Sequence, residues 1–188
     1  VLLLTAFYYD RGYVTVKIGK PQVEMSADKR FLYISIPIEE GEIYQIGKLD
    51  FKGELLLTRD EMVRGLKVKE GDTFNRTKLS NDIIAINDFY KNRGYANVNV
   101  TPLTSVDAEK RLVELTFDLQ QGKKVYFERI NIRGNTKTRD KVIRRELKVS
   151  EGELFSQGLI DFSKNRVQAL GFFEKVELST KRGSNDER

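Results

Sequence analysis

The sequence predicts an α+β fold of tandem units, each strand-helix-helix-strand-strand with two helices packed on a three-stranded mixed sheet. Three observations carry that expectation: blocks that recur at a fixed spacing, period-two apolar runs flanking helical stripes, and a glycine closing the last helix of every copy. Ile46-Gly47-Lys48-Leu49-Asp50-Phe51-Lys52-Gly53 aligns with Phe127-Glu128-Arg129-Ile130-Asn131-Ile132-Arg133-Gly134. At the same spacing, Glu70-Gly71-Asp72-Thr73-Phe74 aligns with Glu151-Gly152-Glu153-Leu154-Phe155. A third match, at nearly that spacing, sets Phe7-Tyr8-Tyr9-Asp10-Arg11-Gly12-Tyr13 against Phe89-Tyr90-Lys91-Asn92-Arg93-Gly94-Tyr95. Repetition at such a period marks one supersecondary unit used in series. The expected boundaries are a partial unit at 1–42, a complete unit at 43–122, and a unit at 123–188 without its last strand.

Each unit opens with a strand. Tyr44, Ile46, Leu49 and Phe51 mirror Val125, Phe127, Ile130 and Ile132. The three-residue step inside each set breaks strict alternation, as a bulge near Gly47 or Glu128 would. A short helix follows, with Thr58 and Glu61 forming a capping box and Thr138 expected to cap its counterpart. A second helix begins after Asn75 or Ser156, both good N-cap residues. Leu79, Ile83, Ile86 and Tyr90 then follow helical spacing. Gly12, Gly94 and Gly171 stand where a left-handed residue ends that helix. The next strand is expected over 14–18, 96–100 and around Val176 and Leu178. The last strand alternates through Leu32, Ile34, Ile36 and Ile38, and again through Val113, Leu115, Phe117 and Leu119, with one face expected to be buried. Pro37 lacks a ladder donor and implies a local break in pairing.

Composition narrows the function classes. The 188 residues contain no cysteine and no histidine, which excludes disulfides, thiolate or Ser-His catalysis and the commonest metal ligands. No catalytic residue, metal site or cofactor is expected, and a repeat of near-equal units argues against an enzyme. A net charge of +5 could attract anionic partners, but 33 basic residues are interleaved with 28 acidic ones. No aromatic RNA-reading signature accompanies the basic stretch at 139–148.

At this point the residues resemble a known family. The Gly134-Asn135 turn, the Glu151-Gly152-Glu153-Leu154-Phe155 link and the Leu170-Gly171-Phe172-Phe173 opening look like POTRA domains. They are most similar to the string of a BamA-type outer-membrane protein assembly factor, as its partial third, fourth and fifth units. The resemblance implies a periplasmic location, as the soluble part of an outer-membrane protein whose own C-terminal β-barrel lies elsewhere. It implies unfolded outer-membrane proteins as clients, added as strands to a sheet edge, and accessory assembly lipoproteins as partners. Neither nucleic acid nor a small-molecule substrate is expected. The client edge would comprise Val14, Val16 and Ile18; Ala96, Asn97, Val98, Asn99 and Val100; and Val176 with Leu178. Arg144, Arg145 and Glu151 are the expected accessory-protein contact. Other readings are the POTRA region of a TamA-type factor, a two-partner secretion or organelle import pore, or a passive spacer without clients.

The repeat also marks what these residues do not contain. The first copy has no opening strand or first helix, and 181–188 reads as the hairpin loop ahead of the third copy's last strand. A further strand, from chain beyond Arg188 or from another chain, is the expectation there.

Overall fold

The computed structural model describes residues 1–184; the tail at 185–188, part of the expected hairpin loop, lies outside the described residues. Two compact units emerge, one comprising 1–83 with 101–118 and the other 84–100 with 119–188.

The first unit begins with helix α1 (Leu2–Tyr9) and four short strands: β1 (Lys17–Ile18), β2 (Gln22–Met25), β3 (Leu32–Ser35) and β4 (Ile38–Glu39). β2 pairs antiparallel with β3 from Gln22↔Ser35 to Met25↔Leu32, and β1 pairs with β4. Pro37 sits in the gap separating β3 from β4, the break in pairing its absent N–H implies. The expected strand over 14–18 shrinks to Lys17–Ile18, because Val14 N and Val16 N turn back to the carbonyls of Gly12 and Tyr13. The expected buried face of the last strand is also corrected: Leu32 and Ile34 are 62% and 64% exposed. Their counterparts Val113 and Leu115 are each 1% exposed. The residues that cover β7 in the second copy have no first-copy equivalents within this sequence.

The second copy forms the complete motif. It runs β5 (Gln45–Gly53), α2 (Arg59–Gly65), α3 (Arg76–Lys91), β6 (Asn99–Asp107) and β7 (Leu112–Gln120). The sheet order is β5-β7-β6, which puts the last strand in the centre. Ile46, Leu49 and Phe51 of β5 are buried with Val113, Leu115 and Phe117 of β7. Phe51 and Phe117 stack with ring centroids 5.0 Å apart, the offset arrangement aromatic pairs favour. Thr58 and Glu61 make the capping box that starts α2, and the Asn75 side chain accepts from Lys78 N at 2.7 Å to start α3. Asp82 on α3 is buried, and its carboxylate accepts from Lys67 N and Val68 N at 2.9–3.0 Å. It therefore ties the segment after α2 down onto α3.

In the second unit, helix α4 spans Asp140–Arg144 and α5 spans Gln157–Ala169. Ser156 caps α5 by accepting from Leu159 N. The cap expected from Thr138 is not made; Arg139 is the N-cap residue and offers no side-chain acceptor. Val149, Phe155 and Ile160 form a small core, packed by Ala96, Val125, Phe127, Ile130, Leu147 and Leu178. The expected strands over 125–132 and around Val176 and Leu178 are not formed. Among the described residues there, one isolated bridge, Tyr126↔Leu154, occupies the place that Gln45↔Thr73 holds in the second copy. No counterpart of β7 is present among the described residues to pair with either segment.

One local device recurs in both units. In the first, Asp10 accepts from Thr77 N at 2.8 Å, and Tyr44 N donates to Gly12 O at 2.9 Å. In the second, Asn92 accepts from Gly158 N at 2.7 Å, and Val125 N donates to Gly94 O at 2.8 Å. Residues ending one copy's helix thus cap the helix of the next. Gly94 (φ +96°) must be glycine for a second reason: a Cβ there would lie 2.5 Å from Leu154 Cδ1.

Candidate functional site

The second copy's sheet has two edges, and they differ in what their outward backbone groups meet. At β5, Ile46 N donates to Asp72 O (2.7 Å) and Ile46 O accepts from Gly71 N (2.8 Å). Leu49 N donates to the Glu70 carboxylate at 3.0 Å, and Phe51 O accepts from the Arg59 guanidinium at 3.0 Å. The link after α2 therefore closes this edge. Third-copy residues repeat the pattern: Phe127 pairs with Glu153 and Gly152, Ile130 N with Glu151 (2.8 Å), and Ile130 O with Arg144 (2.9 Å). The three-residue step in the apolar pattern is explained here, since a glutamate side chain takes the N–H in mid-strand.

Among the described residues, the β6 edge beyond Pro102 carries none of these covers. The structure moves this strand relative to the sequence expectation. Residues 95–98 form turns, with Ala96 N and Val98 N bonded to the carbonyls of Gly94 and Tyr95, and the strand begins at Asn99. It then runs through Pro102 to Asp107. Val98 and Val100 are buried and Ala96 packs on the Val149 cluster, so these three line the core; Asn97 and Asn99 are exposed. Beyond Pro102, Leu103 is 46% and Val106 49% exposed. Apart from the terminal Asp107, no residue of β6 is charged. Edge strands are ordinarily protected by lysine, proline or inward-facing charge, and of these β6 carries only Pro102. Asp107 is occupied: it accepts from Lys110 N, a bond that holds its carboxyl below the usual aspartate range, and it steadies the hairpin turn. The signal for this extension was the alternation Val100, Pro102, Thr104, Val106, which Pro102 obscured.

Of the other sequence-expected edge residues, Val14 and Ile18 are half-buried and Val16 half-buried or exposed beside the two-residue β1. Val176 and Leu178 are half-buried and lie outside any strand.

Arg144 and Glu151 do come together. Arg144 Nε lies 2.9 Å from Asp140 and its guanidinium 3.8 Å from Glu151. Arg145 belongs to a different group, bonding Glu146, which also receives Arg166 at 2.6 Å. Arg166 foremost holds the Glu146 carboxyl below the usual glutamate range. Sequence reasoning missed Asp140, Glu146 and Arg166, because helical spacing alone does not show which charges meet.

The POTRA family model, described as "Surface antigen variable number repeat", matches residues 44–122 and 125–188. The chain belongs to that family. Its POTRA domains are of the BamA type, as its relatives indicate. It is 31% identical over 178 residues to the outer membrane protein assembly factor BamA of Neisseria meningitidis serogroup B, covering 93% of this chain and 22% of that protein. The BamA of Nitratidesulfovibrio vulgaris is 29% identical over the same shares. The crystal structure of Haemophilus influenzae BamA POTRA3-5 superposes with TM-score 0.78 at 26% identity, covering 96% of this chain and 72% of that one. The chain thus spans roughly a fifth to a third of the curated relatives it matches, at 22–30% of their lengths.

Proposed function

We propose that this chain is the periplasmic client-binding and scaffold region of an outer-membrane β-barrel assembly factor, with POTRA units at 1–42, 43–122 and 123–188. Unfolded outer-membrane polypeptides add as a strand along β6, and accessory lipoproteins dock at Arg144 and Glu151. The observation that carries the reading is the asymmetry of the two edges. β5 is closed by backbone and side-chain partners, whereas β6 presents an edge strand uncharged up to its last residue. Addition through backbone hydrogen bonds supplies affinity with little sequence demand, which suits a factor that handles many clients. The similarity to BamA proteins supports the assembly role.

The test is a titration of the labelled protein with a peptide copied from an outer-membrane β-hairpin. Amide shifts are expected along Asn99–Asp107 and not along Gln45–Gly53. Leu103→Lys, at an exposed position, should weaken binding about tenfold, or about 1.4 kcal/mol. Shifts confined to β5, or none at either edge, would remove the strand-addition reading.

A further inference from the structure

The net charge of the chain is unevenly placed. Residues 123–188 hold 16 lysines and arginines against 10 acidic residues, while 1–122 hold 17 against 18. The third copy therefore carries +6 and the remainder −1. The difference is concentrated in one short stretch. Segment 137–145 has Lys137, Arg139, Lys141, Arg144 and Arg145 against Asp140, a net +4. Its counterpart 56–64 has Arg59 and Arg64 against Asp60 and Glu61, a net of zero.

Two of those cations are engaged, Arg144 with Asp140 and Glu151, and Arg145 with Glu146. Lys137, Arg139 and Lys141 are exposed and make no ion pair among the described residues, as are Arg129 and Arg133 just before them. Local stability does not account for this placement. Arg139 occupies the N-cap of α4 without a capping acceptor, where the second copy uses Thr58. Arg139 also stands at the positive end of the helix, where a cation is disfavoured.

We infer that this face of the third copy binds the anionic phosphate headgroups of a lipid bilayer. Its chemistry is that of additive charge. Segment 129–148 contains no aromatic residue on which a nucleobase could stack. Ile143 is buried and Ile132 and Val142 are half-buried, so no fully exposed apolar anchor of the kind that centres a protein interface accompanies Lys137, Arg139 and Lys141. Each basic residue near an anionic membrane surface contributes independently, by about fivefold in affinity. The inference goes beyond strand addition at β6; it shares α4 with the docking proposed at Arg144 and Glu151 but rests on Lys137, Arg139 and Lys141, which that docking does not use.

The experiment is co-sedimentation of the whole chain with phosphatidylcholine vesicles, with and without phosphatidylglycerol, at low and high salt. Binding is expected only to the anionic vesicles and should fall steeply with salt. Lys137→Gln/Arg139→Gln/Lys141→Gln should weaken it by on the order of 100-fold. Lys48→Gln/Lys52→Gln in the second copy should leave it nearly unchanged. A circular dichroism spectrum matching the parent checks that the triple variant folds. Equal binding to neutral vesicles, an unaffected triple variant, or binding to a single-stranded oligonucleotide or an acidic protein without binding to vesicles would each overturn the assignment.

Discussion

The second and third copies follow one sequence plan, yet only the second builds a sheet. Their closing links share the same backbone and glutamate bonds. Glu70 takes Leu49 N as Glu151 takes Ile130 N, and the Gln45↔Thr73 bridge recurs as Tyr126↔Leu154. What separates them is the strand that lies in the middle. β7 comes last in its copy but sits between β5 and β6, and among the described residues the third copy has no counterpart of it. Residues that form β5 in one copy make only the isolated Tyr126↔Leu154 bridge in the other, among the described residues, so strand propensity needs a partner ladder before it becomes a strand.

The strongest way to break this comparison is to weaken the central strand where it exists. Phe117 is 0% exposed and stacked on Phe51. Phe117→Ala should cost about 3–5 kcal/mol and lower amide exchange protection along Gln45–Gly53 and Asn99–Asp107 together. Protection that survives at β5 would show that the first strand holds without the central one.

A second pair sharpens the comparison at the link to the long helix. Asp82 accepts three short hydrogen bonds from Lys67 N and Val68 N, while Ser163, at the equivalent position, accepts one from Lys148 N at 2.8 Å. Asp82→Ala should destabilise the second copy by about 3 kcal/mol and Ser163→Ala the third by about 1 kcal/mol. Asp82→Ser should fall between the parent and Asp82→Ala. Equal losses at the two positions, read from urea midpoints, would mean that the buried carboxylate adds nothing over a hydroxyl.

The smallest effect concerns pH and belongs to the third copy. Bonding to Arg166 lowers the Glu146 carboxyl relative to an ordinary glutamate. A depressed folded-state value means that the stabilisation is fully present above the usual glutamate range and is lost as pH falls through the lowered value. Urea midpoints followed from neutral to acidic pH should therefore decline less for Glu146→Gln than for the parent. Parallel curves would remove Glu146 from the account.

Much of the plan was legible in the residues. The Thr58–Glu61 box, the Asn75 and Ser156 caps and the core-facing Val113, Leu115 and Phe117 stand as their patterns indicate. The start of β6 was not legible, because residues 95–98 alternate like a strand while their N–H groups turn back to Gly94 and Tyr95. Nor was its length, since Pro102 normally ends a ladder and here an edge position tolerates it.

By itself the sequence determined the repeat, the order of elements in the second copy, the caps at Thr58, Asn75 and Ser156, and the absence of cysteine and histidine chemistry, all of which depend on neighbours within a few turns of chain. Only the tertiary structure decided which edge is open. That outcome depends on Glu70, Arg59 and the link from Gly71 to Asp72 folding back onto β5. It depends equally on a last strand inserting between the earlier two. Such contacts join residues far apart in the chain, and their partners are set by packing rather than by local pattern.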